Sequence, residues 1–209
     1  MSSSKEEIDG HSRDRIAALT DGIYSVAMTL LVIDLKLPEA ADLAANRELA
    51  QALAALEPKF AAWCVSFFVL ALFWLGNLRS MRLMRMLDGP LVFMYVLQLA
   101  LVSLMPFSTA LVGEYRPVVL SQVIYSANMA ALAALSLLIS HHARRHPELL
   151  HAPLDPASLR AATIRVGGLL ALSIASVPVD MIRPGAGSIV FALMFFIVPL
   201  SRRVERGAA

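Results

Sequence analysis

Three polar side chains, Asp21, Ser25 and Thr29, recur at intervals of four residues near the start of the chain. This spacing places them one above another on one face of an α-helix. The surrounding stretch is apolar, and a carboxylate in such a stretch usually faces a water path, a helix bundle or a partner group. The polar face therefore lines a pathway or packs against neighbouring helices. The spacing alone is compatible with both interpretations.

An apolar face adjoins this polar face on the same helix. Val26, Leu30 and Ile33 lie roughly 100° around the helix from it, because each residue turns an α-helix by about 100°. This polar face beside an aliphatic face, which we call the aliphatic seam, suggests a pathway, and packing against neighbouring helices stays the alternative. Of the acidic residues, Asp21 needs a partner, and the candidates are Asn77, Arg165 or the Arg15 of a neighbouring subunit.

The composition predicts a membrane protein. Hydrophobic residues make up 58% of the 209 residues and charged residues 16%, whereas soluble domains average about 45–50% and about 25%. The apolar residues also fall in long runs. We predict an all-α, polytopic membrane protein that forms a single domain over residues 1–209. Its six predicted spans are Ile16–Leu35, Phe60–Leu78, Leu91–Val112, Val118–Ile139, Ile164–Val179 and Gly185–Leu200.

The connections between these spans are expected to be modest. Residues Glu39 to Glu57 are amphipathic and predict a short external helix. The longest internal loop is expected between His141 and Thr163, which contains three prolines. Polar residues of the fourth span are expected to form hydrogen bonds between helices.

The basic residues predict the orientation. With an internal N-terminus, thirteen of the 18 lysines and arginines lie on the cytoplasmic side, as the positive-inside rule requires. Both the polar N-terminus, 1–14, and the basic C-terminus, 201–209, are then cytoplasmic. The sequence has no basic face interleaved with aromatic residues, the pattern that would indicate nucleic-acid binding. No cluster of His, Asp or Glu lies at a common depth, so an enzyme is not expected.

A motif in the first span resembles a known family. Arg15-Ile16-Ala17-Ala18-Leu19-Thr20-Asp21 resembles the R-x-x-x-F-S-D signature that opens the first helix of the transmembrane-protein-175 family of potassium channels. Phe73-Trp74 resembles part of that family's second helix, and Leu104 to Thr109 resembles its third-helix element L-P-F-x-T. The likeness is to the prokaryotic type with one six-helix unit.

That resemblance implies a homotetramer in a bacterial or archaeal plasma membrane, whose pore is formed by the four first helices. No cofactor is implied, and K+ is the permeant ion. The aliphatic constriction would fall on Val26, Leu30 and Ile33, and the polar layer implicated in selectivity on Thr29, with Ser25 one turn earlier. A narrow apolar ring can stop ions by excluding water, while hydroxyls compensate a partly dehydrated ion.

The resemblance also implies a hydrogen-bond network near the cytoplasmic end of the pore. Its members here would be Arg15, Thr20, Asp21 and Asn77, and Asn77 stands where the family often has a histidine. Asparagine can donate and accept hydrogen bonds but does not titrate near neutral pH. The alternative function is a proton leak or proton-coupled transporter that uses Asp21 as a relay. That alternative would usually show more carboxylates in the membrane or broken helices.

Overall fold

The computed structural model of the protein describes residues 2–36, 46–115, 118–152, 155–183 and 186–194. These residues are almost entirely helical, so the all-α prediction is confirmed. The first element is α1 (Ser2–Leu30), which a 3-10 turn (Leu31–Asp34) continues to the end of the first span; this turn is counted with α1 below. The other elements are α2 (Asn46–Ala55), α3 (Glu57–Leu83), α4 (Gly89–Ser103), α5 (Met105–Glu114), α6 (Val119–Arg145), a 3-10 turn (Pro147–Leu149), α7 (Pro156–Ile182), α8 (Gly187–Val190) and a 3-10 turn (Phe191–Leu193).

Five helical segments are long and apolar enough to cross a membrane. They match the first five predicted spans and comprise Arg13–Asp34, Glu57–Leu83, Gly89–Glu114, Val119–Arg145 and Pro156–Ile182. The sixth predicted span, Gly185–Leu200, lies partly outside the described residues. Within the described part, α8 and the turn after it cover only the first half of that span. That sixth span stays a prediction.

The connection between the fourth and fifth spans is shorter than the sequence suggested. The predicted bounds of this loop, His141 to Thr163, are wrong, because α6 continues to Arg145 and α7 already begins at Pro156. Asp155 stabilises this early start, since its carboxylate accepts hydrogen bonds from the backbone N–H groups of Ala157 and Ser158. Pro156 suits the first helical turn because its missing N–H is not needed there.

The third span is interrupted at Leu104, between α4 and α5. Pro106 has no N–H and therefore cannot make the bond that a helix would form to residue 102. Helical hydrogen bonding resumes when the backbone N–H of Ser108 donates to the carbonyl of Leu104 at 3.0 Å. The side-chain amide of Asn128 on α6 donates to the carbonyl of Leu101 at 3.3 Å. A neighbouring helix thus satisfies backbone next to the break.

The helices pack around α1 and around the α6–α7 pair. α1 contacts α3, α4 and α5, while α6 contacts α4, α5 and α7. The core is an apolar cluster that includes Tyr24 and Leu31 of α1, Leu70 of α3 and Met129 of α6, all less than 2% exposed. One strip of α1 is therefore buried in the core, and the residues on the opposite side of that helix point away from the core.

Candidate functional site: the outward face of the first helix

The outward face of α1 carries the predicted constriction residues. Val26, Leu30 and Ile33 are 56%, 41% and 52% exposed. The opposite strip, formed by Tyr24, Ala27 and Leu31, is at most 2% exposed. A 3.6-residue period produces this division, because residues three or four apart share a face. The fold of one chain leaves the aliphatic seam uncovered.

The predicted polar residues Ser25 and Thr29 are exposed beside that seam. The Thr29 hydroxyl donates to carbonyls one turn earlier, those of Ser25 at 3.0 Å and Val26 at 2.9 Å. Its proton is therefore directed at the helix backbone. A hydroxyl oxygen also carries two acceptor lone pairs, so the Thr29 oxygen can still accept from water or face a cation on the outward side.

Asp21 has a partner on α3 that the sequence reasoning missed. The indole N–H of Trp74 donates to the Asp21 carboxylate oxygen Oδ1 at 2.7 Å. A signal was available, because a tryptophan indole is a pure donor and needs an acceptor in apolar surroundings. A hydrogen bond to an ionised carboxylate is stronger than one between neutral groups. It ties the outward face of α1 to α3.

Asn77, one of the three candidate partners of Asp21, bonds to a different residue of α1. Its amide Nδ2 donates to the Tyr24 hydroxyl at 3.0 Å, and both side chains are buried. α3 therefore holds α1 by two hydrogen bonds, one from Trp74 at the exposed side and one from Asn77 in the core. The predicted single network is in this structure at least two separate pairs.

The other two motif residues lie apart from these pairs. Thr20 is buried, and its hydroxyl donates to the Ile16 carbonyl of the same helix at 2.8 Å. Arg15 lies on the exposed side of α1. Arg15 is six residues before Asp21, which places the two roughly 240° apart on the helix. Arg165 of α7 lines a cavity that Asn77 also lines.

The start of the α1 span is fastened to the loops at one end of the bundle, which we call the basic end and define by Arg13, Met84 and His151. The Arg13 guanidinium donates to the Met84 carbonyl at 3.2 Å and lies 3.4 Å from the His151 ring nitrogen Nε2. Met84 itself pairs with Leu150 in an isolated antiparallel bridge. Two loops and α1 therefore meet at one point.

Asp88 joins two further elements at the basic end. Its carboxylate accepts from the Leu91 backbone at 2.9 Å, capping α4, and from the His142 ring at 2.6 Å. Partial burial acts to raise the pKa of Asp88, but the hydrogen bonds from His142 and Leu91 outweigh it and lower that pKa below its usual value. His142 and His146 stack at 4.4 Å. Within the described residues, no group of three or more His, Cys, Asp or Glu is arranged to hold a metal.

These features define the class of protein. In the described part of the chain, five membrane-length helices form one bundle. One of these helices presents hydroxyls, a carboxylate and an aliphatic seam outside the chain's own core. Polar groups facing hydrocarbon are unfavourable, and so this face requires water or protein against it. The class is a multi-pass membrane protein whose first helix is available to line a passage.

Comparison with known proteins identifies the family. Residues 15–106 match the sequence model of the family described as the endosomal/lysosomal potassium channel TMEM175. A Streptomyces collinus protein named as a potassium channel is 32% identical over 155 residues, which are 72% of this chain and 74% of that protein. A Chamaesiphon minutus protein of the same description is 29% identical over 192 residues, 90% of this chain and 86% of that protein. The chain belongs to the TMEM175 family.

A solved structure supports the fold. The crystal structure of a lysosomal potassium-selective channel TMEM175 homolog from Chamaesiphon minutus aligns with a TM-score of 0.75. The alignment covers 91% of this chain and 98% of that one, at 24% sequence identity. The chain therefore shares the fold of that channel homologue.

Proposed function

We propose that this potassium channel conducts through a pore lined by the α1 helices of four copies of the chain, with Val26, Leu30 and Ile33 as the constriction. The single observation that carries the proposal is the exposure of these three side chains on a helix whose opposite strip is buried. One such helix cannot surround an axis, so several copies in a closed symmetric assembly are needed. The family resemblance supports four.

The outward face suits ion passage in two ways. A ring of aliphatic side chains excludes water when it is narrow and so stops ions. Thr29 supplies a hydroxyl oxygen whose proton is bound to the helix backbone, so its lone pairs are available to a partly dehydrated cation. Ser25 provides a second hydroxyl one turn away. Together they would form polar layers beside an apolar gate.

Asp21 in this proposal positions α1 and does not bind the ion. Its Oδ1 atom accepts from the indole of Trp74, an interaction that fixes the rotation of α1 relative to α3. Because Val26, Leu30 and Ile33 lie on the same helix, that rotation decides whether they meet on the pore axis. The proton-relay alternative would instead require Asp21 to exchange protons during transport.

The orientation and location follow the charge distribution. Thirteen of the 18 basic residues lie in the two terminal segments or near the helix ends that share their side. The positive-inside rule then supports cytoplasmic termini in a plasma membrane. Epitope tags at both ends should be accessible only after the membrane is permeabilised.

The test is potassium flux into proteoliposomes, with and without a proton gradient. We expect Leu30→Ser to raise cation flux, because a hydroxyl in the ring admits water. Val32→Ser is the matched control, since Val32 is 51% exposed on the same helix but is not part of the seam. Equal flux in both variants, with intact assemblies, would remove Val26, Leu30 and Ile33 as the constriction. Flux of protons without potassium would favour the relay alternative.

A further inference from the structure

A cavity of about 140 Å³ lies between α3, α6 and α7, away from the outward face of α1. One part of its lining is apolar and includes Val69, Phe73 and Leu169. Another part is polar and includes Arg79 and Arg165. Val69 and Arg79 are ten residues apart on α3, which corresponds to about 15 Å along the helix axis. The cavity is therefore amphipathic along its length.

The charged side chains in the described lining are all positive. The lining contains two guanidinium groups, and no carboxylate occurs among the described residues that line it. Arg79 and Arg165 also interact elsewhere in the protein, but each guanidinium has five N–H donors and can serve more than one acceptor. The planar fork of arginine matches the oxygens of a phosphate. The polar part of the cavity thus complements a phosphate group.

The cavity is accessible from outside the bundle. Leu75, Gly76 and Arg79 belong to its lining and are exposed on α3. Arg79 lies four residues before the end of α3 at Leu83, next to the basic end of the bundle. With the orientation proposed above, this is the level of the cytoplasmic headgroups, where anionic lipids are attracted to basic residues.

We propose that this cavity binds an anionic phospholipid of the cytoplasmic leaflet. The phosphate would lie between Arg79 and Arg165, and an acyl chain would lie along Val69, Phe73 and Leu169. The site also adjoins the conducting helix, because Asn77 lines the cavity and donates to Tyr24 of α1 at 3.0 Å. A bound lipid would thus lie one side chain away from α1.

The experiment measures binding to the purified full-length protein in a neutral detergent. Short-chain phosphatidylglycerol is added, and bound lipid is counted by native mass spectrometry beside the thermal unfolding midpoint. Short-chain phosphatidylcholine and inorganic phosphate are the comparison ligands. We expect phosphatidylglycerol to bind and to raise the midpoint more than either comparison ligand. Both lipids carry a phosphate and acyl chains, but the choline cation of phosphatidylcholine offsets its phosphate charge, and inorganic phosphate has no acyl chain.

Three variants locate the site. Arg79→Gln and Arg165→Gln should each weaken binding about tenfold or more, the loss expected when a charge-assisted contact worth about 1.4 kcal/mol is removed. Gly76→Leu keeps both arginines but places a side chain in the cavity. An added Cβ at Gly76 meets no atom within 4 Å, so this variant should fold and still lose the lipid. Arg82→Gln is the matched control, since Arg82 is exposed on α3 and is not part of the lining.

Four results would overturn the proposal. Equal weakening in Arg82→Gln would mean non-specific charge attraction. Equal binding of phosphatidylcholine would show that the net negative charge of the lipid is not recognised, and an equal effect of inorganic phosphate would show that the acyl chain is not bound. Dissociation of the assembly in Gly76→Leu, with lipid binding retained, would make this face a contact between copies. None of these readouts depends on ion conduction, so failure here is distinct from failure of the pore assignment.

Discussion

Polar residues have the same spacing on α1 and on α6, but they are exposed on α1 and buried on α6. On α6, Gln122 and Ser126 are four residues apart, both are buried, and the Gln122 amide donates to the Ser126 hydroxyl at 2.9 Å. On α1, Ser25 and Thr29 are also four residues apart, yet both are exposed. Periodicity therefore identifies a polar face but does not tell whether the chain itself covers it.

The partners explain the difference between the two helices. Ser126 lies 2.6 Å from the Ser176 hydroxyl of α7, so the polar face of α6 is satisfied within the bundle. Thr29 bonds to its own helix backbone, and Asp21 reaches across to Trp74 of α3. The polar face of α6 contributes to the stability of the subunit, and that of α1 is exposed in the subunit, where we propose that it faces other copies or the pore. Substitutions on the two helices should separate these roles.

The largest effect is expected within α1 itself, between its two faces. Leu31 is 1% exposed, and Leu31→Ala should lower the free energy of unfolding by about 2–5 kcal/mol because it leaves a cavity in the core. Leu30→Ala on the outward face should lower it far less. Thermal unfolding in detergent measures both. Equal losses would mean that Leu30 is as tightly packed in the assembly as Leu31 is in the subunit.

The next effect compares the serines of the two helices. Ser126→Ala removes the partner of Ser176 and the acceptor of Gln122. Leaving buried polar groups without these bonds should cost about 1–3 kcal/mol. Ser25→Ala, on the exposed face, should change stability by less than about 0.5 kcal/mol. If Ser25→Ala proved the more damaging in chemical denaturation, the comparison between the helices would be reversed.

A third prediction concerns the bond that joins α1 to α3. Trp74→Phe keeps an aromatic ring but removes the N–H that donates to Asp21. In a double-mutant cycle with Asp21→Asn, we expect a coupling of about 1–2 kcal/mol in stability, the range for close pairs involving a charge. A coupling near zero, with both single variants folded, would show that the pair does not hold α1.

The sequence predicted the helices and the faces of α1 well, for a physical reason. Long apolar runs and a 3.6-residue period are local properties, so the first five spans and the outward positions of Val26 and Leu30 could be read directly. The bond between Asp21 and Trp74 joins residues 53 positions apart. Its existence depends on how α3 packs on α1, which no local pattern specifies. The same limit explains why Asn77 was among the candidate hydrogen-bond partners of Asp21 and instead bonds to Tyr24.

Loop boundaries were less predictable than membrane spans. Arg144 and Arg145 are polar enough to resemble a loop, yet they continue α6 beyond its apolar part. At the other end of this loop, Asp155 and Pro156 form the start of α7. Composition alone did not distinguish that helix start from a proline-rich loop. Capping contacts are small in energy and depend on geometry. They therefore appear only when side-chain positions are known.

A fourth prediction uses pH to test the contact between Asp88 and His142 of α6 at the basic end of the bundle. The pKa of Asp88 is lowered in the folded protein, so its stabilising contribution is present above the unfolded pKa and is lost as the pH falls through the folded pKa. At pH 7 Asp88→Ala should cost about 1 kcal/mol, the usual value of a helix cap. This difference from the unaltered protein should shrink in acid. Asp88→Asn retains a cap without the charge and should show no such loss.

The smallest expected change in stability is also the most informative about conduction. Thr29→Val preserves the shape of the side chain and removes the hydroxyl that lies beside the aliphatic seam. Since the Thr29 proton is bound to the backbone of its own helix, its loss should change stability by less than about 0.5 kcal/mol, as for exposed sites in general. The preference for potassium over sodium should nevertheless fall, because the oxygen that we propose to face the ion is gone. Thr163→Val is the control, since Thr163 is also exposed and makes the same bond to its own helix at 2.9 Å, but on α7. Bi-ionic potentials in planar bilayers measure the preference. If both variants kept the same potassium preference, the outward hydroxyls of α1 would be ordinary surface groups, and the difference between α1 and α6 would concern assembly without selectivity.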